Sequence, residues 1–255
     1  MDLTLLKGLR LLEHLARSDQ SRGVSDLARE LELTKSNVHR TLQTLVDAGY
    51  VRKCAGSGHY ECTLKLFELG SAILARTDIR QVAEGPMAEL ARITEETIHL
   101  SALQGRDVVY VHKIESPQPV RAYSSIGGRA PAYCVASGKA LLAFTPGALE
   151  QFADPLPTYS PKSIGTVAAL AKELEDIRRS GVAVNWGEWR EAVRGVAAPI
   201  FDATGATVGS IGISGPAERL TEAAIEKFSP NVITAAAEIS AALGHRGGST
   251  WANAS

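Results

Sequence analysis

The chain is short of cysteine: Cys54, Cys62 and Cys134 are the only three in 255 residues, and no CxxC pair occurs. One thiol stays unpaired under any scheme, so neither a disulfide framework nor a zinc ribbon is indicated, and reduced thiols are expected. Long apolar runs are also missing. No stretch approaches the roughly 18 residues of a membrane span, and the opening MDLTLLKGLRLLEHL has no signal-peptide cleavage site, so a cytoplasmic protein is expected. Charge of one sign is not in excess: 27 Lys and Arg stand against 28 Asp and Glu, a formal net charge of -1. Global electrostatics therefore advertises no polyanion partner. Catalytic signatures are scarce too. GxSxG and HExxH do not occur, and around Ser137-Gly138-Lys139 the pattern GxxxxGK[ST] fails because Tyr133 holds the first glycine position and Ala140 follows the lysine. Lys139 is expected to be a solvated helix residue. No internal repeat is evident.

What is present is an ordinary globular composition, 45% hydrophobic and 22% charged, enough for one or two domains with a sizeable core. Leu5, Leu6, Leu9, Leu12, Leu15 and Ala16 recur at helical spacing, predicting an amphipathic first helix that ends near Ser18. After a polar loop to Gly23, Ser25 is expected to cap a second helix with Leu27, Ala28 and Leu31 facing inward. A third helix follows the turn at Leu33 and Thr34 and ends at Gly49. Segments 50–54 and 60–64 then read as two strands around the turn Ala55-Gly56-Ser57-Gly58. Three helices and a hairpin make a winged helix-turn-helix.

Segment 64–76, LKLFELGSAILAR, is helical again but too apolar for a solvated linker, since Leu66, Phe67, Leu69, Ile73 and Leu74 cover more than one face. Burial against a sister chain is expected. Beyond it the pattern predicts a helix over 79–93, strands over 97–104, 108–115 and 120–124, a helix over 137–144 and another over 167–179. Strands over 182–185, 193–202 and 207–214 follow, then a terminal helix kinked or broken at Pro230 and a frayed tail. Mostly antiparallel strands with helices to one side imply an α+β sensor domain. The expected division is 1–63, 64–77, 78–245 and 246–255.

Local charge does point to a partner. From Thr34 to Tyr60 there are four cations, Lys35, Arg40, Arg52 and Lys53, against the single acid Asp47. On the third helix Val38, Leu42, Leu45 and Val46 form the inward stripe, which leaves Lys35, Ser36, Asn37, His39, Arg40, Gln43 and Thr44 outward, behind Thr34. Arg and Lys can bond guanine, Asn and Gln can bond adenine, and hydroxyls can hold phosphate. Residues at the start of this helix should reach base edges of duplex DNA, while Arg52, Lys53, Ser57, His59 and Tyr60 of the hairpin touch backbone or minor groove. A solvated polar face is the bland account of the same helix, and the order helix, turn, helix, hairpin weighs against it. Cys54, His59 and Cys62 straddle the hairpin but offer only three metal ligands at an exposed position, and His14, His99, His112 and His245 show no ligand spacing. No metal and no cofactor is expected.

The run GVSDLARELELTKSNVHRTLQTLVDAGYVRK resembles the DNA-binding region of IclR-type regulators. The likeness continues through IGGRAPAYCVASGKALLAF, GVAVNWGEWREAVRGVAAPIFDATG and VGSIGISGPAERLT, so it spans nearly the whole chain. The resemblance implies a linker helix, a GAF-like α/β effector-binding domain, homodimers that often pair into tetramers, and a transcription regulator, expected to be a repressor. It places an effector cavity among Ala130, Cys134, Ala136, Ser137, Asn185, Glu188, Val193, Gly195, Gly212 and Ser214. Family members often carry an acid where this chain has Asn185 and a cysteine where it has Gly195, so a roomier, less negative pocket is expected. Amides at the start of the Ser137 helix and the hydroxyls of Ser137 and Ser214 suit a small organic acid, possibly aromatic. Tyr123, Tyr133, Trp186 and Trp189 are candidate aromatic walls, and Arg129 or Arg194 a candidate counter-charge. The competing readings are a small-molecule-processing enzyme and a DNA-independent sensor built on the second domain.

Overall fold

The computed structural model describes residues 3–75 and 78–246, which divide into two compact units at Arg76/Thr77. The first unit runs α1 (Leu3–Ala16), α2 (Val24–Glu30), α3 (Lys35–Asp47), β1 (Val51–Lys53), β2 (Tyr60–Cys62) and α4 (Lys65–Ala75). Thr34 caps α3, its Oγ1 accepting from the Asn37 amide at 3.3 Å. Gly49, at φ 77°, ends that helix in a left-handed turn that an L side chain would strain. The core is Leu11, Leu15, Leu27, Ala28, Val38, Leu42, Val51 and Tyr60.

Two local expectations need correction. The apolar stripe of α1 turns inward at Leu11 and Leu15, while Leu5 and Leu9 remain 61% and 48% exposed. Leucines at both i+3 and i+4 made two stripes available, and tertiary packing selected one. The N-cap of α2 is Gly23 rather than Ser25, which lies inside the helix. The nominal loop before it does more than connect: Arg22 bridges Tyr60 antiparallel, adding a rung to the hairpin.

The second unit comprises α5 (Asp78–Thr94), β3 (Thr97–Gln104), β4 (Asp107–Ile114), β5 (Arg129–Pro131), α6 (Ala136–Phe144), α7 (Val167–Ser180), β6 (Ala183–Asn185), β7 (Val193–Phe201), β8 (Thr207–Pro216) and α8 (Glu222–Ala242). The strands form one six-stranded sheet in the order β5-β4-β3-β8-β7-β6, every pair antiparallel. Alternation along β7 shows how the sheet is used. Ala197 joins a core with Leu141, Leu142, Leu170 and Leu174 of α6 and α7. Val196 and Ala198 join another with Ala83, Met87 and Leu90 of α5 and Val232, Ala236 and Ile239 of α8. Successive side chains point to opposite faces, so helices cover both faces and not one side as the pattern suggested. Buried small residues on β7 and β8, with glycine at 195, 209 and 212, let both layers approach.

Segment 120–124 forms no strand and crosses as an irregular strap. Helix α8 runs through Pro230 without a break, since a proline's missing donor costs one helical bond that packing on the sheet can offset. Most of the expected tail, 247–255, lies outside the described residues. No helix among the described residues is long and apolar enough to cross a membrane.

Candidate nucleic-acid interface and ligand cavity

On α3, Val38 and Leu42 are fully buried and Leu45 and Val46 half-buried, which turns Lys35, Ser36, His39, Arg40, Gln43 and Thr44 to solvent. Asn37 is half-buried, and its Oδ1 accepts from Arg40 Nη2 at 3.2 Å. Gln43 Nε2 donates to Asp47 Oδ1 at 2.9 Å, and Thr44 Oγ1 donates to the Arg40 carbonyl at 3.1 Å. These bonds stay on one helix, so they hold side chains at the surface that are free to change partners. Along the hairpin Lys53 and Ser57 are exposed and His59 half-buried. Two expectations shift. Tyr60 is 3% exposed and packs in the core, so it supports the hairpin from beneath and offers DNA no open face. Arg52 faces Glu61 across the ladder and bonds it through Nε at 2.7 Å, an acid one residue beyond the basic stretch.

The same register sets Cys62 opposite Val51, while Lys53 faces Tyr60, so Cys54 and Cys62 lie rungs apart. Among the described residues no three His, Cys, Asp or Glu side chains converge on a metal site.

In the second unit a cavity of about 50 Å³, open to solvent at its mouth, lies between the sheet, the start of α6 and the strap. Of the residues assigned by resemblance, Ala136, Ser137, Asn185, Val193, Gly195, Gly212 and Ser214 line it. Ala130, Cys134 and Glu188 do not. Ala130 and Cys134 are buried in the core beneath α6, and burial pushes the Cys134 thiol up to about 12. Glu188, 4% exposed, supports the wall from behind: its Oε1 accepts from Lys139 Nζ at 2.7 Å, and its Oε2 accepts from Asn185 Nδ2 at 2.8 Å and from the Trp186 amide. Lys139, expected in solvent, is 0% exposed and also pairs with Glu173. A lysine so enclosed is held by two carboxylates because burying it alone would cost several kcal/mol, roughly. It is unavailable as a partner for Ser137.

Sequence reasoning missed four polar members of the cavity: His99, Tyr110, Ser124 and Arg190. His99 Nε2 lies 2.6 Å from Ser124 Oγ, and its ring is 4.4 Å from that of Tyr110. Burial, with the nearby Lys113 cation, lowers the His99 pKa to about 4, so the imidazole is neutral near pH 7. Burial also raises the Tyr110 phenol to about 12. The signal for His99 was a histidine set between Ile98 and Leu100 on a buried strand. Arg190 takes the place proposed for Arg129 or Arg194: it stacks over Trp189 at 4.3 Å and donates to the Tyr123 carbonyl at 3.1 Å, tying the strap. Arg129 instead bonds Asp107 and Gln104, and Arg194 bonds the Leu220 carbonyl and lies over Trp186. Of the candidate aromatic walls, Tyr123 and Trp189 line the cavity, whereas Trp186 and Tyr133 do not. Gly195 yields less room than expected. A Cβ there would sit 2.6 Å from the Ile213 carbonyl oxygen, so the glycine serves the close approach of β7 and β8.

A winged helix-turn-helix followed by a helix and a separate cavity-bearing α+β unit is the build of a DNA-binding transcription regulator. The chain belongs to the IclR family of transcriptional regulators: the IclR helix-turn-helix domain matches residues 4–54 and the bacterial transcriptional regulator IclR C-terminal domain matches residues 71–241. It is 36% identical over 245 residues to the HTH-type transcriptional regulator KdgR of Escherichia coli, covering 95% of this chain and 93% of that one. It is 31% identical to the HTH-type transcriptional repressor AllR of E. coli, over 94% and 90% of the two chains. The crystal structure of the Thermotoga maritima IclR aligns with a TM-score of 0.77 at 32% identity, over 95% of this chain and 99% of that one.

Proposed function

We propose that the protein is a cytoplasmic repressor that binds operator DNA through the outward face of α3 and the hairpin, and that a small organic acid in the second unit's cavity sets its operator affinity. The observation that carries the ligand reading is the enclosure itself. Ser137 and Ser214 face it with hydroxyls, α6 opens onto it with first-turn amides that have no side-chain cap, and Arg190 stands at its wall. An uncapped helix start and one cation suit a carboxylate, and Trp189, Val135 and Ala197 suit an apolar body. The name of the relative AllR favours repression. The DNA contacts assigned are Thr34 through Thr44 on the outward face, with Arg52, Lys53, Ser57 and His59 on the phosphates.

A second copy completes the first unit in this reading. Leu64 at the turn into α4 and Phe67 and Leu69 on it are 75%, 72% and 45% exposed, more apolar surface on one short segment than a solvated monomer sustains. Helix-turn-helix dimers match two-fold operators. Gel shifts of the chain's own upstream DNA across a salt series, with and without each of a panel of mono- and dicarboxylic acids, test the proposal. Salt-dependent retardation altered by at least one acid, and insensitivity to that acid in Ser137→Trp, are expected. DNA binding that no acid changes removes the effector half of the reading.

A further inference from the structure

Asn185 ends β6 at the cavity wall and is 5% exposed. Its Nδ2 lies 2.7 Å from the Cys134 carbonyl oxygen and 2.8 Å from Glu188 Oε2. Both neighbours only accept. An amide oxygen in that place would face two oxygens at bonding distance, so chemistry fixes which end of the amide points where. Glu188 cannot turn away to relieve it, because its two oxygens also hold Lys139 Nζ and the Trp186 amide. Both Asn185 hydrogens are thus spent on the protein. The Oδ1 atom makes no hydrogen bond among the described residues and is not enclosed without solvent contact, which leaves it to the cavity.

We propose, resting on the ligand reading above, that Asn185 is a fixed hydrogen-bond acceptor that selects hydroxylated organic acids over unsubstituted and dicarboxylic ones. A ligand hydroxyl has a proton to give Oδ1, a methylene has none, and a second carboxylate would set oxygen against oxygen. The chain Lys139–Glu188–Asn185 is the positioning device: it acts on the ligand only through the orientation of the Asn185 amide. An aspartate at this position could not do the same. It has no N–H for Cys134 or Glu188, and its carboxylate would stand beside that of Glu188.

Calorimetric titration of the full chain with matched acids tests this: 4-hydroxybenzoate against benzoate, and glycerate against propionate and malonate. The hydroxylated member should bind roughly tenfold tighter, the usual worth of satisfying one enclosed acceptor. In Asn185→Leu that preference should vanish, the affinity ratio within each pair falling to about one whatever the absolute affinities become. Melting curves supply a readout that needs no ligand. Asn185→Asp should melt below wild type by a margin that widens as pH rises from roughly 4, because a protonated aspartate can donate to one of the two neighbours and an ionised one to neither. Equal affinity within both pairs, or a preference that survives Asn185→Leu, overturns the selection and leaves the cavity reading standing. No acid of either series binding overturns the cavity reading and the selection with it. An Asn185→Asp protein that melts like wild type across that range overturns the amide orientation itself.

Discussion

On α3, Arg40 reaches no further than Asn37 of its own helix, and the side chains of Lys35, Ser36 and His39 stand in solvent with no hydrogen bond to other described side chains. Around the cavity the same residue types are buried and committed: Asn185 to Cys134 and Glu188, Lys139 to Glu188 and Glu173, His99 to Ser124. The helix keeps its polar groups uncommitted because duplex DNA brings its own donors and acceptors, and water satisfies them meanwhile. Behind the cavity wall polar groups are paired within the protein, since one left bare in a dry interior costs about 1–3 kcal/mol, and only atoms on the open face are left for a ligand or water. Polar residues are therefore cheap to change on the helix and expensive to change behind the cavity.

The sharpest break of that contrast is Glu188→Ala. It leaves buried Lys139 with the half-exposed Glu173 alone, removes one of the two Asn185 Nδ2 bonds and unpairs the Trp186 amide, and should cost about 3–5 kcal/mol by urea unfolding. A loss below about 1 kcal/mol would show that water or a rotamer change rescues the cluster.

His99 comes next. Its folded pKa, about 4, lies below the ordinary 6.5, so the unfolded chain binds the proton more readily. Stability from the neutral buried ring is present above pH 6.5 and is lost as pH falls toward 4. The full swing is on the order of 3 kcal/mol, and His99→Gln should flatten that part of the stability–pH curve. Equal slopes for the two proteins would place the acid sensitivity elsewhere.

The smallest expected effect lies on the exposed side. Arg40→Ala should weaken specific operator binding by about 1–3 kcal/mol and change unfolding stability by less than about 0.5 kcal/mol. Lys53→Ala should weaken all duplexes alike and lower the salt slope. Arg40→Ala with unchanged gel-shift specificity would be falsified as a loss of base reading, and the helix face would then serve phosphates only.

Legibility followed the same divide. The helix-turn-helix could be read because period-3.6 leucines, the Thr34 cap and Gly49 are local signals, and because an exposed polar face is whatever the inward stripe leaves over. Leu5 and Leu9 misled because two stripes competed on one helix. The cavity was legible only through resemblance, which found seven wall residues but put Ala130, Cys134 and Glu188 at a wall they do not line. His99 from β3, Tyr110 from β4, Ser124 from an irregular strap and Arg190 from a loop meet there, up to 91 positions apart along the chain, 190 less 99.

By itself the sequence determined the order of elements, the division into a basic N-terminal reader and a glycine-spaced antiparallel unit, and the family to which both belong. Periodicity, caps and turns act over a few residues, and such interactions are written in the local order of side chains. Tertiary structure alone decided that helices cover both faces of the sheet, that Lys139 is buried between two carboxylates, and that the Asn185 amide presents oxygen to the cavity. Those outcomes depend on which distant groups share a low-dielectric space, where burial and pairing set the energy of each polar atom.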